Sequence, residues 1–130
     1  MIGPRQENSE DKGGVVAIFK KQISEGKSIR IFGDGNQQRL FTHVTDVVEA
    51  NIRAWGNPLS EGQIYNVANA EQVTINALAY KMMIEMNKKV DIIYDKPLVG
   101  DIYHFMIDNT KVREDLGIRF TPFNLAIKNI

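Results

Sequence analysis

Residues Ile29–Phe32 form a short β-branched and aromatic run that Gly33-Asp34-Gly35 ends at once. No other stretch constrains the fold as tightly. The run favours an extended strand, and two glycines around an aspartate favour a tight turn, so the chain must bend there. Ahead of it, Val15, Val16, Ile18, Phe19 and Ile23 recur at helical spacing, with Lys20, Lys21 and Gln22 facing away. Gly26 then supplies a helix stop. The polar, glycine-ended residues 6–14 lead into that helix.

Beyond the turn, residues 40–44 read as a second brief extended piece. Asp46 followed by Glu49 has the spacing of a capping box, and Val48, Ile52 and Trp55 make an apolar stripe that ends at Gly56-Asn57-Pro58, which predicts a helix. Residues 64–68 read as a strand after Glu61-Gly62. Thr74 is an N-cap for a helix carrying Ile75, Leu78, Ala79, Met82 and Met86, whose methionines serve as core filling. Residues 90–94 read as a further strand and 95–107 as a loop with one extended portion. Asp108 or Asn109 caps a last clear helix, with Val112 and Leu116 four apart and Gly117 at its end. Pro122 precedes residues 123–130, which have weak helical character. Helix and strand alternate, so the class is α/β with about four helices and short strands, and no repeat interrupts the order.

The 130 residues fit one domain able to bury a core. Sixteen basic side chains balance sixteen acidic ones, so no net field gathers nucleic acid or an anionic membrane, and any anion must be bound locally. The chain has no cysteine, which excludes disulfides, thiolate metal sites and cysteine nucleophiles. No apolar run approaches the ~20 residues of a membrane span, and the Met1 to Arg5 start lacks a secretory apolar region. These features predict a soluble, cytoplasmic protein.

Two places could meet an anion. At Gly13-Gly14-Val15 a helix begins, where free backbone N–H groups and the positive dipole end can receive a phosphate; the same pair could simply end a loop. Arg39 follows the Gly33-Asp34-Gly35 turn, and its guanidinium offers a rigid fork of donors suited to phosphate oxygens. An isolated arginine is more often a solvated surface group, and the residues alone leave both readings open. His43 and His104 lie far apart with no accompanying ligand pattern, so metal binding is not expected and His43 reads as structural. None of the ten glycines forms G-x-G-x-x-G, so a dinucleotide cradle is missing. No tyrosine has a lysine four positions later, so a tyrosine acid/base with that helper cannot be assembled.

Gly3-Pro4-Arg5-Gln6, the run from Ile31 through Gly33-Asp34-Gly35-x-Gln37-x-Arg39-x-Phe41 to Asp46-Val47-Val48-Glu49-Ala50, then Tyr65-Asn66-Val67, Gly100-Asp101 and Leu116-Gly117 occur in one order. Together they resemble the C-terminal part of the extended short-chain dehydrogenases/reductases, in the nucleotide-sugar epimerase/dehydratase group. The match runs from Gly3 to the chain's end, and the G-D-G-x-Q-x-R-x-F stretch is its most specific portion. In such enzymes an N-terminal Rossmann part binds NAD(P) and carries the tyrosine and lysine, while the later part closes over the nucleotide sugar.

The resemblance therefore implies a single substrate-binding domain over residues 1–130, inactive alone, that takes a UDP- or dTDP-sugar and partners a Rossmann domain. It implies that Arg39 pairs with the substrate diphosphate, with Phe41 beside it. The backbone of Arg30, Ile31 and Phe32 would line the base pocket, Gly14 and Val15 would lie at the diphosphate, and Leu98 and Asp101 would border the same site. Three positions depart from the family. Leu98 stands where many relatives have a second diphosphate-binding arginine, Ile2 where they often have tyrosine, and Leu40 where aspartate is usual. Two other readings remain: a noncatalytic module that self-associates, as a homodimer for instance, through Val15, Val16, Trp55 or the methionine stripe, and the substrate domain of a reductase acting on a non-nucleotide carbonyl compound.

Overall fold

The computed structural model describes residues 1–6 and 13–130, apart from the side chain of Asn129, so most of the polar stretch 6–14 lies outside the described residues. The fold is α/β. Helix α1 (Val15–Glu25) leads through Gly26 into strand β1 (Ile29–Phe32), and β2 (Gln38–Leu40) follows the turn. Helix α2 (Val44–Ala54), a 3-10 turn at Pro58–Ser60, β3 (Gln72–Thr74), α3 (Ile75–Glu85) and β4 (Ile92–Asp95) come next. Helices α4 (Thr110–Leu116) and α5 (Phe123–Ala126), with a 3-10 turn at Ile127–Asn129, end the chain.

Two small sheets result. β1 pairs in parallel with β4, Ile29 opposite Ile92 and Phe32 opposite Asp95, and β2 pairs antiparallel with β3, Arg39 opposite Val73. β1 alternates buried Ile29 and Ile31 with outward Arg30 and Phe32, as the two-residue period of a strand dictates. Its inner face joins Val16, Phe19 and Ile23 of α1, Leu78, Ala79 and Met82 of α3, and Phe123 and Ile127 in the main core. Truncating Phe19 to alanine there would cost roughly 3–5 kcal/mol. A second cluster holds Ala50 of α2 with Val112, Leu116 and Ile118.

Several local expectations are corrected. Residues 64–68 are not a strand: no neighbouring segment among the described residues offers a ladder. Tyr65 and Val67 pack onto the second cluster. The Ala68 carbonyl accepts a single bond from Asn109 Nδ2 at 2.8 Å, and the Ile64 carbonyl one from Lys111 Nζ at 3.4 Å. Helix α2 starts two residues before Asp46, with His43 as N-cap; its Nδ1 accepts from the Thr45 N–H. Asp46 instead lies buried and receives the Thr121 N–H at 2.9 Å and hydroxyl at 2.6 Å, tying α2 to the C-terminal segment. The extended piece expected at 40–44 is displaced, because Val44 already belongs to α2; only a single parallel bridge joins His43 to Ile2.

The stripe of Val48, Ile52 and Trp55 faces solvent, and Trp55 is 90% exposed, because Ala50 is the position of α2 that meets the second cluster. Of the residues considered for self-association, Val16 and Met82 are buried, Val15 and Met86 are partly buried against the core, and Trp55 stands open. Thr74 caps α3 as expected, its Oγ1 accepting from the Ala77 N–H at 3.1 Å. At α4, Asn109 occupies the N-cap while Asp108 Oδ1 accepts the Thr110 N–H at 2.8 Å, so both candidates share the task. Among the described residues no helix is long and apolar enough to cross a membrane.

Candidate functional site

The turn after β1 is seated by the start of α3. Gly35 has φ +75°, and a Cβ there would come within 2.1 Å of Asn76 Oδ1, so only glycine fits both the backbone and the space. Asn76 donates its N–H to the Gly35 carbonyl at 2.9 Å and its Nδ2 to the Asp34 carbonyl at 3.0 Å. Asp34 accepts from the Asn36 N–H at 2.9 Å and from the Tyr103 hydroxyl at 2.9 Å. Those bonds, the Asn36 backbone first, hold its carboxyl below the ordinary range, while the bond to Asp34 pushes the Tyr103 phenol up. Gln37 Nε2 closes the turn by donating to the Phe32 carbonyl at 2.6 Å.

This rigid turn delivers Arg39 in a fixed pose. Its Nη1 donates to the Gln38 carbonyl at 2.7 Å and to the Ile102 carbonyl, and its Nη2 to the Asp101 carboxylate. Three of the five guanidinium hydrogens are thereby used. The Nε–H and one Nη2–H have no partner among the described residues, which leaves one edge of the fork for a further acceptor. The loop carrying Asp101 is itself docked, since the Gln38 N–H donates to the Tyr103 carbonyl at 2.8 Å and His104 Nδ1 lies 3.1 Å from Gln38 Oε1.

A cavity of ≈ 800 Å³ opens beside that fork. All nine residues singled out from the sequence border it. Gly14 and Val15 sit at the mouth of α1, where among the described residues no side chain caps the helix and no acidic residue occupies the first turn. Arg30, Ile31 and Phe32 form one wall, with Ile31 buried and Arg30 Nε 3.2 Å from Asp95. Arg39 and Phe41 line it too, Phe41 resting on Phe123 with ring centroids 5.4 Å apart, as do Leu98 and Asp101. The arrangement can receive an anion at Arg39 and the α1 mouth, and a flat apolar group along β1.

Gln6 and Gln37, motif residues not read from the sequence as part of the site, also line this cavity. Both carry a buried Oε1 without a hydrogen-bond partner, so the wall holds two acceptors in want of donors. The available signal was the position of Gln37 two residues before Arg39, the spacing that puts strand side chains on one face. Another cavity, of ≈ 710 Å³, lies against α4 with Asn109, Arg113 and Arg119, and none of the candidate residues borders it. Among the described residues no group of three potential ligands could hold a metal, and His43 does the structural work of capping α2.

Comparison with known proteins gives a consistent picture. The model of the NAD dependent epimerase/dehydratase family matches residues 1–68. UDP-glucose 4-epimerase of Mycolicibacterium smegmatis is 36% identical over 117 residues, covering 90% of this chain and 37% of that protein. The dTDP-4-dehydro-6-deoxy-D-allose reductase of Streptomyces bikiniensis is 30% identical over 130 residues, covering 98% of this chain and 39% of that protein. Among solved structures, UDP-glucose 4-epimerase of Thermotoga maritima with UDP-glucose superposes with a TM-score of 0.85 at 31% identity, covering 97% of this chain and 40% of that one. The chain thus spans about two fifths of the proteins it matches.

Proposed function

We propose a role for this chain from one premise: it belongs to the NAD dependent epimerase/dehydratase family. It is the substrate-binding part of a nucleotide-sugar enzyme, and it grips the diphosphate of a UDP- or dTDP-sugar. The observation that carries this reading is the Arg39 guanidinium, braced by Gln38, Ile102 and Asp101 with two donors left over among the described residues, on the lining of a cavity that the start of α1 shares. Anion-binding groups thus stand beside a wall fit for a base. The Gln6 and Gln37 oxygens suit a ligand that also brings hydroxyl or N–H donors, as a nucleotide sugar does.

The residues of this chain do not fit NAD. No glycine set forms the dinucleotide cradle, and the described strands make two pairs rather than a doubly wound sheet. The chain's share of the chemistry is therefore to hold and orient the sugar nucleotide, lowering the entropic part of the barrier for a reaction whose cofactor a Rossmann part binds. The backbone left open at residues 64–68 supports a chain completed by such a part.

Calorimetric titration tests the reading. The purified chain should bind UDP or dTDP one to one, and mixing it with NAD and UDP-glucose should give no turnover. Failure to bind any nucleoside diphosphate, or turnover by this chain alone, refutes it.

A further inference from the structure

A carboxylate in the wall of an anion site works against binding, so Asp101 calls for a reason. Among the described residues it is the one acidic side chain bordering the ≈ 800 Å³ cavity, where the basic side chains are Arg30 and Arg39. Arg30 already faces Asp95. Asp101 is paired with the guanidinium proposed to meet the diphosphate, and both side chains are 28% exposed, enough for solvent and ligand to reach them. The pair cancels much of the positive field at that spot while the free edge of the fork still offers two hydrogen-bond donors.

We propose that Asp101 is a specificity-determining residue that selects esterified over free nucleoside diphosphates. This inference rests on the diphosphate reading of Arg39. A sugar-esterified diphosphate carries two negative charges, whereas a free nucleoside diphosphate above about pH 7 carries roughly one more on its terminal phosphate. Hydrogen-bond donors on a nearly neutralised guanidinium serve both ligands. The extra charge of the free nucleotide, however, falls beside a fixed carboxylate and is repelled. The site thereby binds free UDP or dTDP less tightly than the sugar nucleotide. Ile102 and Gln38 orient the guanidinium through their carbonyls, so orientation does not require a charged partner at position 101.

Titrations of the full chain with UDP-glucose, UDP and uridine at pH 8 and low salt test this. Asp101→Asn should shift the ratio of UDP to UDP-glucose affinity toward UDP by roughly fivefold to tenfold, from Coulomb's law across several Å at a dielectric between surface and bulk values. Asp101→Glu should restore the original ratio, and 0.5 M salt, roughly, should shrink the shift. Asp101→Ser is a second neutral variant should the asparagine chain fail to fold. Equal changes in affinity for UDP and UDP-glucose would reduce Asp101 to a brace for Arg39 and overturn the proposal. If wild-type chain binds uridine but discriminates neither diphosphate from it, the Arg39 reading itself fails, an outcome distinct from an unmoved ratio.

Discussion

Replacing Arg39 with alanine should weaken UDP binding about 100-fold and leave uridine binding unchanged. The magnitude follows from the hydrogens. Both Nη1 hydrogens go to the Gln38 and Ile102 carbonyls and one Nη2 hydrogen goes to Asp101, so two donors remain for a phosphate. Charge-assisted bonds contribute about 1.5–3 kcal/mol each, and the lower value applies because the side chain is 28% exposed. Two such bonds come to about 3 kcal/mol, or roughly two decades in Kd. Uridine is the control that matters, because losing Arg39 also frees the Asp101 and Ile102 segment. Disorder of that rim would weaken both ligands, whereas loss of a diphosphate contact weakens one. Calorimetry on both proteins with both ligands reads the difference, and Arg39→Lys should recover only part of it, having charge without the fork. Equal losses for UDP and uridine, or an unchanged UDP affinity, would refute the reasoning.

Three further outcomes are expected. Gly35→Ala should cost about 2–4 kcal/mol in urea unfolding, combining left-handed backbone strain with displacement of Asn76, while Gly33→Ala, whose Cβ would meet nothing nearer than 3.9 Å, should cost only about 1–2 kcal/mol; equal costs would deny the close approach at Gly35. Asp46→Ala removes the acceptor of two Thr121 donors from a buried site and should lower stability by about 2–4 kcal/mol, which a urea midpoint unmoved from wild type would contradict. The Asp34–Tyr103 contact should hold through neutral pH and weaken at both extremes. A carboxyl lowered from 3.8 gives stability that is lost as pH falls through its folded value, and a phenol raised from 10.0 gives stability that is lost as pH rises through its own. Proton NMR of the Tyr103 ring reads this, and a signal constant from neutral pH down to about pH 2 would exclude the contact.

Local rules made much of this fold legible. The periodic apolar residues of α1 and α3, the Thr74 cap and the Gly33-Asp34-Gly35 turn depend on neighbours in sequence, and they form where the pattern puts them. Readings that needed a distant partner fared worse. Residues 64–68 have strand composition, yet a strand exists only with a neighbour, and composition does not say whether one is at hand. Asp46 and Glu49 have capping-box spacing, but Thr121, seventy-five positions away, claims the Asp46 carboxylate and His43 takes the cap. At the candidate site the motif residues could be named from their order, because one turn and one strand carry most of them. The bracing of Arg39 by Asp101 and Ile102 could not, since it spans more than sixty residues of chain.

Residues 64–68 leave an open seam in the surface. Backbone N–H groups without a partner among the described residues, in a half-apolar stretch, are a template for β-addition, and identical seams on two molecules can zip together. Concentrating the chain by itself therefore favours clumping at this seam, and a proline in place of the 88% exposed Ile64 would blunt the template.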